Sequence, residues 1–363
     1  MRASGTSCVF PTVRGSVASV QLEDVTFRYP GATADTLQTL SLVVGNGTTH
    51  ALLGGSGAGK TTVLNLLSGL LQPTGGRILM DGHDIGGLPA ARRNVTQVFQ
   101  FPVLYPAMTV LENLCFPLRN RKWKPAAARE RALAMAEELD VSPLLDRRPS
   151  TLTLFERQLV AIGRALVRPD VGLVLLDEPL TAVQPELKWR LRRALRRVQR
   201  DLGVTMVYVT HDQTEALTFA ERVSVMHDGR ILQTASPVDV HDEPAHEFVG
   251  YFIGSPGMNL LEARVESGMV YVAGTRVGGT VLADGDYRMG FRAQWAAVAD
   301  AGLPASVRGV RYDGVVDDSP VGVLRATVAD KEVYVRHAGL APDGPMHLRV
   351  NRFILFREGW RAN

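Results

Sequence analysis

The octet Gly54-Gly55-Ser56-Gly57-Ala58-Gly59-Lys60-Thr61 stands between the apolar run Ala51-Leu52-Leu53 and the helix-like stretch Val63 to Leu71. Its glycines let the backbone turn so that successive N–H groups point at one anion, and the following helix adds its positive N-terminal end. Lys60 brings a point charge for β- and γ-phosphates, and Thr61 a hydroxyl suited to Mg²⁺. With Thr62 at the start of the helix, the loop predicts a site for the magnesium complex of a nucleoside triphosphate. An ordinary glycine-rich turn is the alternative, and the strand-loop-helix context speaks against it. Only five lysines occur in the chain, and one stands here.

A second half of such a site follows at Leu173-Val174-Leu175-Leu176-Asp177-Glu178. An apolar strand ending in an acidic pair puts Asp177 at the carboxyl edge of a sheet, beside the phosphate loop, where it can hold Mg²⁺. Glu178 can then orient or activate the attacking water. The run Val204 to Thr210 ends in His211, which is either structural or within reach of the γ-phosphate from the neighbouring strand end.

Outward from these motifs, β-type runs alternate with helical stretches such as Ala126 to Leu139 and Arg157 to Val167, which predicts an α/β core with a mostly parallel sheet from residue 19 to 244. Beyond Gly254-Ser255-Pro256-Gly257 the helical periodicity stops. Short runs at Val270 to Val272, Tyr287 to Phe291, Val323 to Val328 and Val333 to Val335 predict a small all-β (OB-like) domain over 245–363. Residues 1–18 carry no periodicity and read as a loose extension. The length of 363 residues and a 45% hydrophobic content suit two packed domains.

Composition excludes several classes of function. The longest membrane candidate, Val171 to Leu176, is far short of the ~20 apolar residues that span a bilayer, and the N-terminus lacks an apolar stretch of signal-peptide length. Cys8 and Cys115 give neither a metal spacing nor a disulfide framework, as expected in a reducing compartment. A net charge of +3 does not call for nucleic acid. The arginines at 190, 192, 193, 196, 197 and 200 read as the solvated side of an amphipathic helix, because Leu187, Leu191, Leu195, Val198 and Leu202 recur at helical spacing and Gly203 closes it.

With these motifs in place the chain, over 20–363, resembles the ATPase subunits of ABC transporters, specifically importers of sugars and polyols with a C-terminal β-domain. The resemblance implies a P-loop ABC-type ATPase domain with a helical subdomain at about 103–168, ATP and Mg²⁺ as cofactors, and ATP hydrolysis coupled to import. Tyr29 matches the aromatic residue that stacks on adenine, although a strand-face aromatic is its plain alternative. Gln100, in Val98-Phe99-Gln100-Phe101, matches the glutamine that contacts Mg²⁺ and links the site to the membrane subunits; His211 matches the switch histidine. Partners implied are two transmembrane permease subunits, an extracytoplasmic solute-binding protein reached indirectly, and a location on the cytoplasmic face of the membrane. Phe101, Val103, Leu104 and Tyr105 are either docking contacts for a permease helix or buried packing. The segments 97–103, 117–121 and 248–259 look most like the paired ATPases of bacterial glycerol importers.

The chain departs from the family where the family reads Leu-Ser-Gly-Gly-Gln. Alignment of Arg164-Ala165-Leu166 places Leu152-Thr153-Leu154-Phe155-Glu156 there, without the glycines. In the family this segment closes over the partner subunit's nucleotide. Thr153 keeps a hydroxyl, but Leu154 and Phe155 hinder close backbone approach. Gln184 also replaces an interface aspartate, and Ala293-Gln294 follows Gly290-Phe291-Arg292 where Pro-Glu is usual in the regulatory tail. Both losses in the ATPase domain act across a dimer, which predicts a heterodimer with a second ATPase. Two other readings stay open: a regulatory subunit that binds ATP without turning it over, and a soluble ABC ATPase acting on nucleic acid.

Overall fold

One sheet carries the phosphate loop, Asp177-Glu178 and His211, and a second packs beside it; they differ in pattern because they differ in burial. In the computed structural model, residues 18–362 are described except 317, 318, 341 and 343, so Cys8 and most of the N-terminal extension lie outside the described residues. Ala18, the last residue of the expected extension, is buried at 2% exposure, and its carbonyl accepts from Thr205 Oγ1 at 2.7 Å.

The first unit ends at Pro237. In chain order it contains β1 (Val20–Phe27), β2 (Leu37–Val44), β3 (Thr49–Gly54), α1 (Lys60–Ser68), β4 (Gly75–Met80), β5 (His83–Asp84), β6 (Val95–Val98), α2 (Val110–Asn120), α3 (Pro125–Glu138) and α4 (Leu154–Leu166). There follow β7 (Leu173–Asp177), α5 (Pro185–Leu202), β8 (Thr205–Thr210), α6 (Gln213–Phe219), β9 (Arg222–His227) and β10 (Arg230–Ala235). β3 and β8 are buried at every position, and the near-continuous apolar runs of β3, β7 and β8 place them inside a six-stranded sheet of order β10-β9-β3-β8-β7-β6. All neighbours pair in parallel except β9 with β10. β2 instead alternates buried and exposed residues, as a one-sided strand must, in an antiparallel sheet β2-β1-β4-β5. Leu22, Leu42, Leu52, Leu64, Leu67 and Val207 belong to one apolar core that joins both sheets to α1.

Helices α1 and α4 begin at Lys60 and Leu154, each three residues before the start that the sequence pattern predicts. The reason is local. Thr153 caps α4 through a Thr-x-x-Glu box closed by Glu156, a signal that the apolar periodicity beginning at Arg157 hides. Helices α2, α3 and α4 pack together, and Gly163 of α4 permits it: a Cβ there would meet Leu139 Cδ1 at 2.8 Å and Leu114 Cδ2 at 2.9 Å. The arginine-bearing α5 buries Leu191, Leu195 and Val198 and ends at left-handed Gly203, φ 64°. Arg196 donates to Phe219 O and Arg197 to Glu138 O and Asp140, so two of the cluster's cations serve the fold.

The second unit starts at Val238 and is mostly antiparallel β, after α7 (Pro237–Asp242) and α8 (Glu247–Phe252). Its strands form a six-stranded and a five-stranded sheet around Met289, Phe291, Leu324, Leu348 and Phe356. Arg292 is buried at 1% exposure and donates to His241 O, Gly250 O and Ile253 O, carbonyls at the ends of α7 and α8. Burial pushes its pKa down to about 10, with Asp242 opposing, so it is still charged at neutral pH. Arg292→Met is therefore expected to cost about 3 kcal/mol, because it removes the buried donor shared by these carbonyls, of which Gly250 O keeps the N–H of Met258. Chemical denaturation checks this, and a loss under about 1 kcal/mol would contradict it.

Candidate functional site

The phosphate loop leaves β3 at Gly54 and enters α1 at Lys60, with Gly57 at φ 79° and Gly59 at φ 94° in the left-handed region. Gly59 has a further reason to lack a side chain: a Cβ would sit 2.7 Å from Leu37 Cδ2. α1 has no side-chain cap and no acidic residue in its first turn. Its N-terminal N–H groups are thus left for an anion, whereas Thr109, Thr153 and Asp212 cap α2, α4 and α6.

Lys60 is 6% exposed, and its Nζ donates to Gly54 O at 2.9 Å and Gly55 O at 2.8 Å. Burial lowers its pKa, while Glu178 and Asp177 work in the opposite direction. The ammonium is held against the loop, pre-positioned for an anion above it. Thr61 Oγ1 lies 3.4 Å from Asp177 Oδ1. Burial raises the Asp177 pKa first and the charge of Glu178 adds to it, so this carboxylate is in a place where a cation is favoured. A hydroxyl beside a carboxylate whose charge Lys60 offsets only in part is an oxygen donor set that fits Mg²⁺.

The sign of that shift gives a measurable consequence. A carboxyl whose pKa is raised on folding stabilises the fold below its ordinary value of 3.8 and loses this contribution as pH rises, so at neutral pH the ionised Asp177 is a liability. Asp177→Asn is expected to raise the nucleotide-free melting temperature by ~2 °C while weakening magnesium-dependent ATP binding at least about tenfold. A fall in melting temperature would show that Asp177 is structural.

Glu178 follows with φ 45°, its N–H bonded to Val209 O at 3.0 Å. This left-handed turn directs the side chain off the strand edge. Glu178 Oε2 accepts from Thr181 Oγ1 at 3.0 Å and lies 3.1 Å from His211 Nδ1. The contact brings the imidazole against the carboxylate at the cavity edge. A cavity of about 580 Å³ is lined by Ser56, Gly57, Ala58, Gly59, Lys60, Thr61 and Thr62 together with Gln100, Glu178 and His211. Its size suits a small ligand. Thr36 and Thr181 also line it. Neither was singled out from sequence; Thr181 had a signal, a hydroxyl three residues after Glu178, and Thr36 had none.

Gly54, Gly55 and Asp177 do not line the cavity but hold its wall through Lys60 and Thr61. Tyr29 stands outside it, 41% exposed, edge-on to Phe27 and with its hydroxyl 3.1 Å from Thr62 Oγ1. Its exposed ring is available to stack on a base beyond the phosphate loop. Of the segment after Gln100, Phe101 and Val103 are 66% and 56% exposed, Leu104 is half-buried, and Tyr105 packs on Phe116 at 4.4 Å between ring centroids. Tyr105, 40% exposed, thus packs on one side and shares the surface with Phe101 and Val103 on the other.

Leu152 is buried, Leu154 is 39% exposed and Phe155 half-buried, and all three are grouped with Thr153 and Glu156 at the start of α4. The Thr153 hydroxyl accepts from Glu156 N at 3.2 Å and donates to Glu156 Oε2 at 3.0 Å. The sequence reading kept this hydroxyl as a possible contact across a dimer; the structure commits it to its own helix. Gln184 occupies the cap position of α5 with no side-chain cap bond.

Comparison with known proteins follows the same lines. The sequence profile of the ABC transporter family matches residues 37–181. The sn-glycerol-3-phosphate import ATP-binding protein of Rhizobium meliloti (strain 1021) is 42% identical over 246 residues, 68% of this chain and 70% of that protein. Its namesake in Brucella abortus biovar 1 is 34% identical over 92% of this chain and 91% of its own. The trehalose/maltose import ATP-binding protein of Thermococcus litoralis is 43% identical over 70% and 69%. Among solved structures, cbiO1 from Clostridium perfringens, part of the ABC transporter complex cbiONQ, aligns with a TM-score of 0.57 at 27% identity, over 61% of this chain and 89% of that one. The ATP-binding cassette MJ0796, solved as a post-hydrolysis dimer bound to ADP and Pi, aligns with a TM-score of 0.54 at 28% identity, over 60% of this chain and 98% of that one. The uncapped phosphate loop, the acidic strand end and these relatives agree: the chain belongs to the ABC transporter family, as an ATPase of its import ATP-binding group.

Proposed function

We propose that this chain is the motor of an importer for a polyol or sugar, with glycerol the leading cargo, and that it works as a heterodimer with a second, different ATPase. The observation that carries the asymmetry is the start of α4. The Thr153 hydroxyl and the N–H of Glu156 are taken up by a capping box, and the Glu156 carboxylate adds negative charge to a helix start that in this reading would have to meet a partner's γ-phosphate. Every group acting on this chain's own nucleotide is in place. The competent site then combines these groups with the signature segment of the other subunit. Relatives named for glycerol phosphate, trehalose/maltose and diacetylchitobiose import support the cargo class. Glycerol itself rests on the resemblance of segments 97–103, 117–121 and 248–259.

In this reading Tyr29 stacks on the adenine, the loop from Gly54 to Thr62 cradles the phosphates, and Lys60 neutralises charge on the β- and γ-phosphates. Thr61, Gln100 and Asp177 would hold Mg²⁺, which supplies further neutralisation of the phosphates. Glu178 accepts the proton of the attacking water, and the Nδ1–H of His211 keeps its carboxylate aimed. Loss of the γ-phosphate contacts lets the dimer open. The motion passes to two permease subunits on the cytoplasmic face of the membrane, fed by a binding protein outside. Among the described residues no helix is long and apolar enough to cross a membrane, which agrees with a peripheral subunit.

Phe101 and Val103 are proposed as the contact with a permease helix. Val103→Asp is expected to lower solute uptake at least about tenfold while ATP hydrolysis stays within about twofold of wild type, because a buried charge at a docking face costs binding without touching the nucleotide. Equal losses of uptake and hydrolysis would place Val103 in the fold. The heterodimer is tested by gentle purification of the tagged chain from its own cell, with mass spectrometry of the retained proteins. Two membrane proteins and a second ATPase are expected. Recovery of this chain as the sole ATPase would overturn the asymmetry.

A further inference from the structure

We propose that the buried carboxylate of Glu215 and the half-buried ammonium of Lys188 form an ion pair that positions His211, so that the first turn of α5 and the histidine turn move as one piece. The inference rests on reading His211 as a residue of the hydrolytic site. Neither residue reaches the cavity, and neither stood out in the sequence.

Glu215 is 1% exposed, on the first turn of α6. Its Oε2 accepts from Tyr208 Oη at 2.9 Å and from Thr210 Oγ1 at 2.8 Å, and its Oε1 accepts from Lys188 Nζ at 2.9 Å. The residues on either side of His211 are held by the same group of bonds. Thr210 Oγ1 accepts from the N–H of Asp212 at 3.0 Å, and the Asp212 carboxylate caps Thr214 N and Glu215 N while lying 3.7 Å from Lys188. Burial disfavours the Lys188 charge, but Glu215 and Asp212 outweigh it and hold its pKa above the ordinary lysine value.

His211, by contrast, keeps a side chain 55% exposed and, among the described residues, makes its ion contact with Glu178 alone. Its imidazole therefore takes its place from the backbone at 210–212. That backbone is fixed by a carboxylate which is itself tied to α5, four residues beyond Gln184. An ion pair with one member partly open to solvent contributes little net stability, so stability does not account for it well. Orientation does: a displacement of about 1 Å at a catalytic group lowers a rate by roughly a hundredfold.

The test is a mutant cycle on single-turnover ATP hydrolysis by the assembled transporter, using γ-labelled ATP. Glu215→Gln and Lys188→Met are each expected to lower kcat about tenfold with KM for ATP within about twofold, and Lys188→Arg to stay within about twofold of wild type. In a His211→Ala background, Glu215→Gln is expected to change the residual rate by less than about twofold, since there is no histidine left to position. The proposal is overturned if Glu215→Gln costs the same factor with and without His211, if the loss lies in KM, or if Lys188→Arg fails to preserve activity. Wild-type hydrolysis by His211→Ala alone would overturn both this proposal and the reading of His211 beneath it.

Discussion

Glu178→Gln in the assembled transporter is expected to lower kcat for ATP hydrolysis at least about a hundredfold, with ATP affinity within about threefold of wild type. The structure gives the reason for the split. The carboxylate stands at the cavity edge in a left-handed turn, oriented by Thr181 at 3.0 Å and His211 at 3.1 Å, and it makes no bond to the phosphate loop. Glutamine keeps the shape and loses the capacity to take a proton. Binding is retained because Lys60 and the loop amides are untouched. A hydrolysis rate unchanged by the substitution, read by phosphate release, would remove Glu178 from catalysis and with it the assignment of this chain as the hydrolysing partner.

The second large effect is expected at Lys60. Lys60→Ala should weaken ATP binding about a hundredfold, near 3 kcal/mol, since charge-assisted contacts to phosphate are worth about 1.5–3 kcal/mol each and more than one oxygen is in reach. The loss should appear in Kd, because the ammonium is already held against Gly54 O and Gly55 O and needs no rearrangement to meet the nucleotide. Equilibrium titration with a fluorescent ATP analogue measures it. Affinity within threefold of wild type would show that the loop amides alone carry the anion.

What was legible in the sequence is what short-range chemistry dictates. Gly57 and Gly59 had to be glycines to turn the loop, and the apolar run before Asp177 had to be a buried strand, so the α/β core, the all-β tail and most of the cavity wall followed from local pattern. What was not legible depends on distant partners. Thr36 reaches the site only because β1 and β2 pair in a separate antiparallel sheet, and Arg292 is a core residue only because α7 and α8 end at its guanidinium. Thr153 is the instructive case. Its hydroxyl matched the position of a family contact, yet Glu156 three residues on gave it a nearer partner, and the nearer partner holds it. The same sequence distance explains the late start assigned to α4.

Hydrolysis at this chain's own phosphate loop, completed by another subunit, is read out by vanadate trapping of the assembled transporter with 8-azido-ATP and identification of the labelled subunit. Trapped, photo-crosslinked nucleotide is expected on this chain, near Tyr29, and its loss in Glu178→Gln. Label confined to the other ATPase, or shared equally between the two, would contradict it.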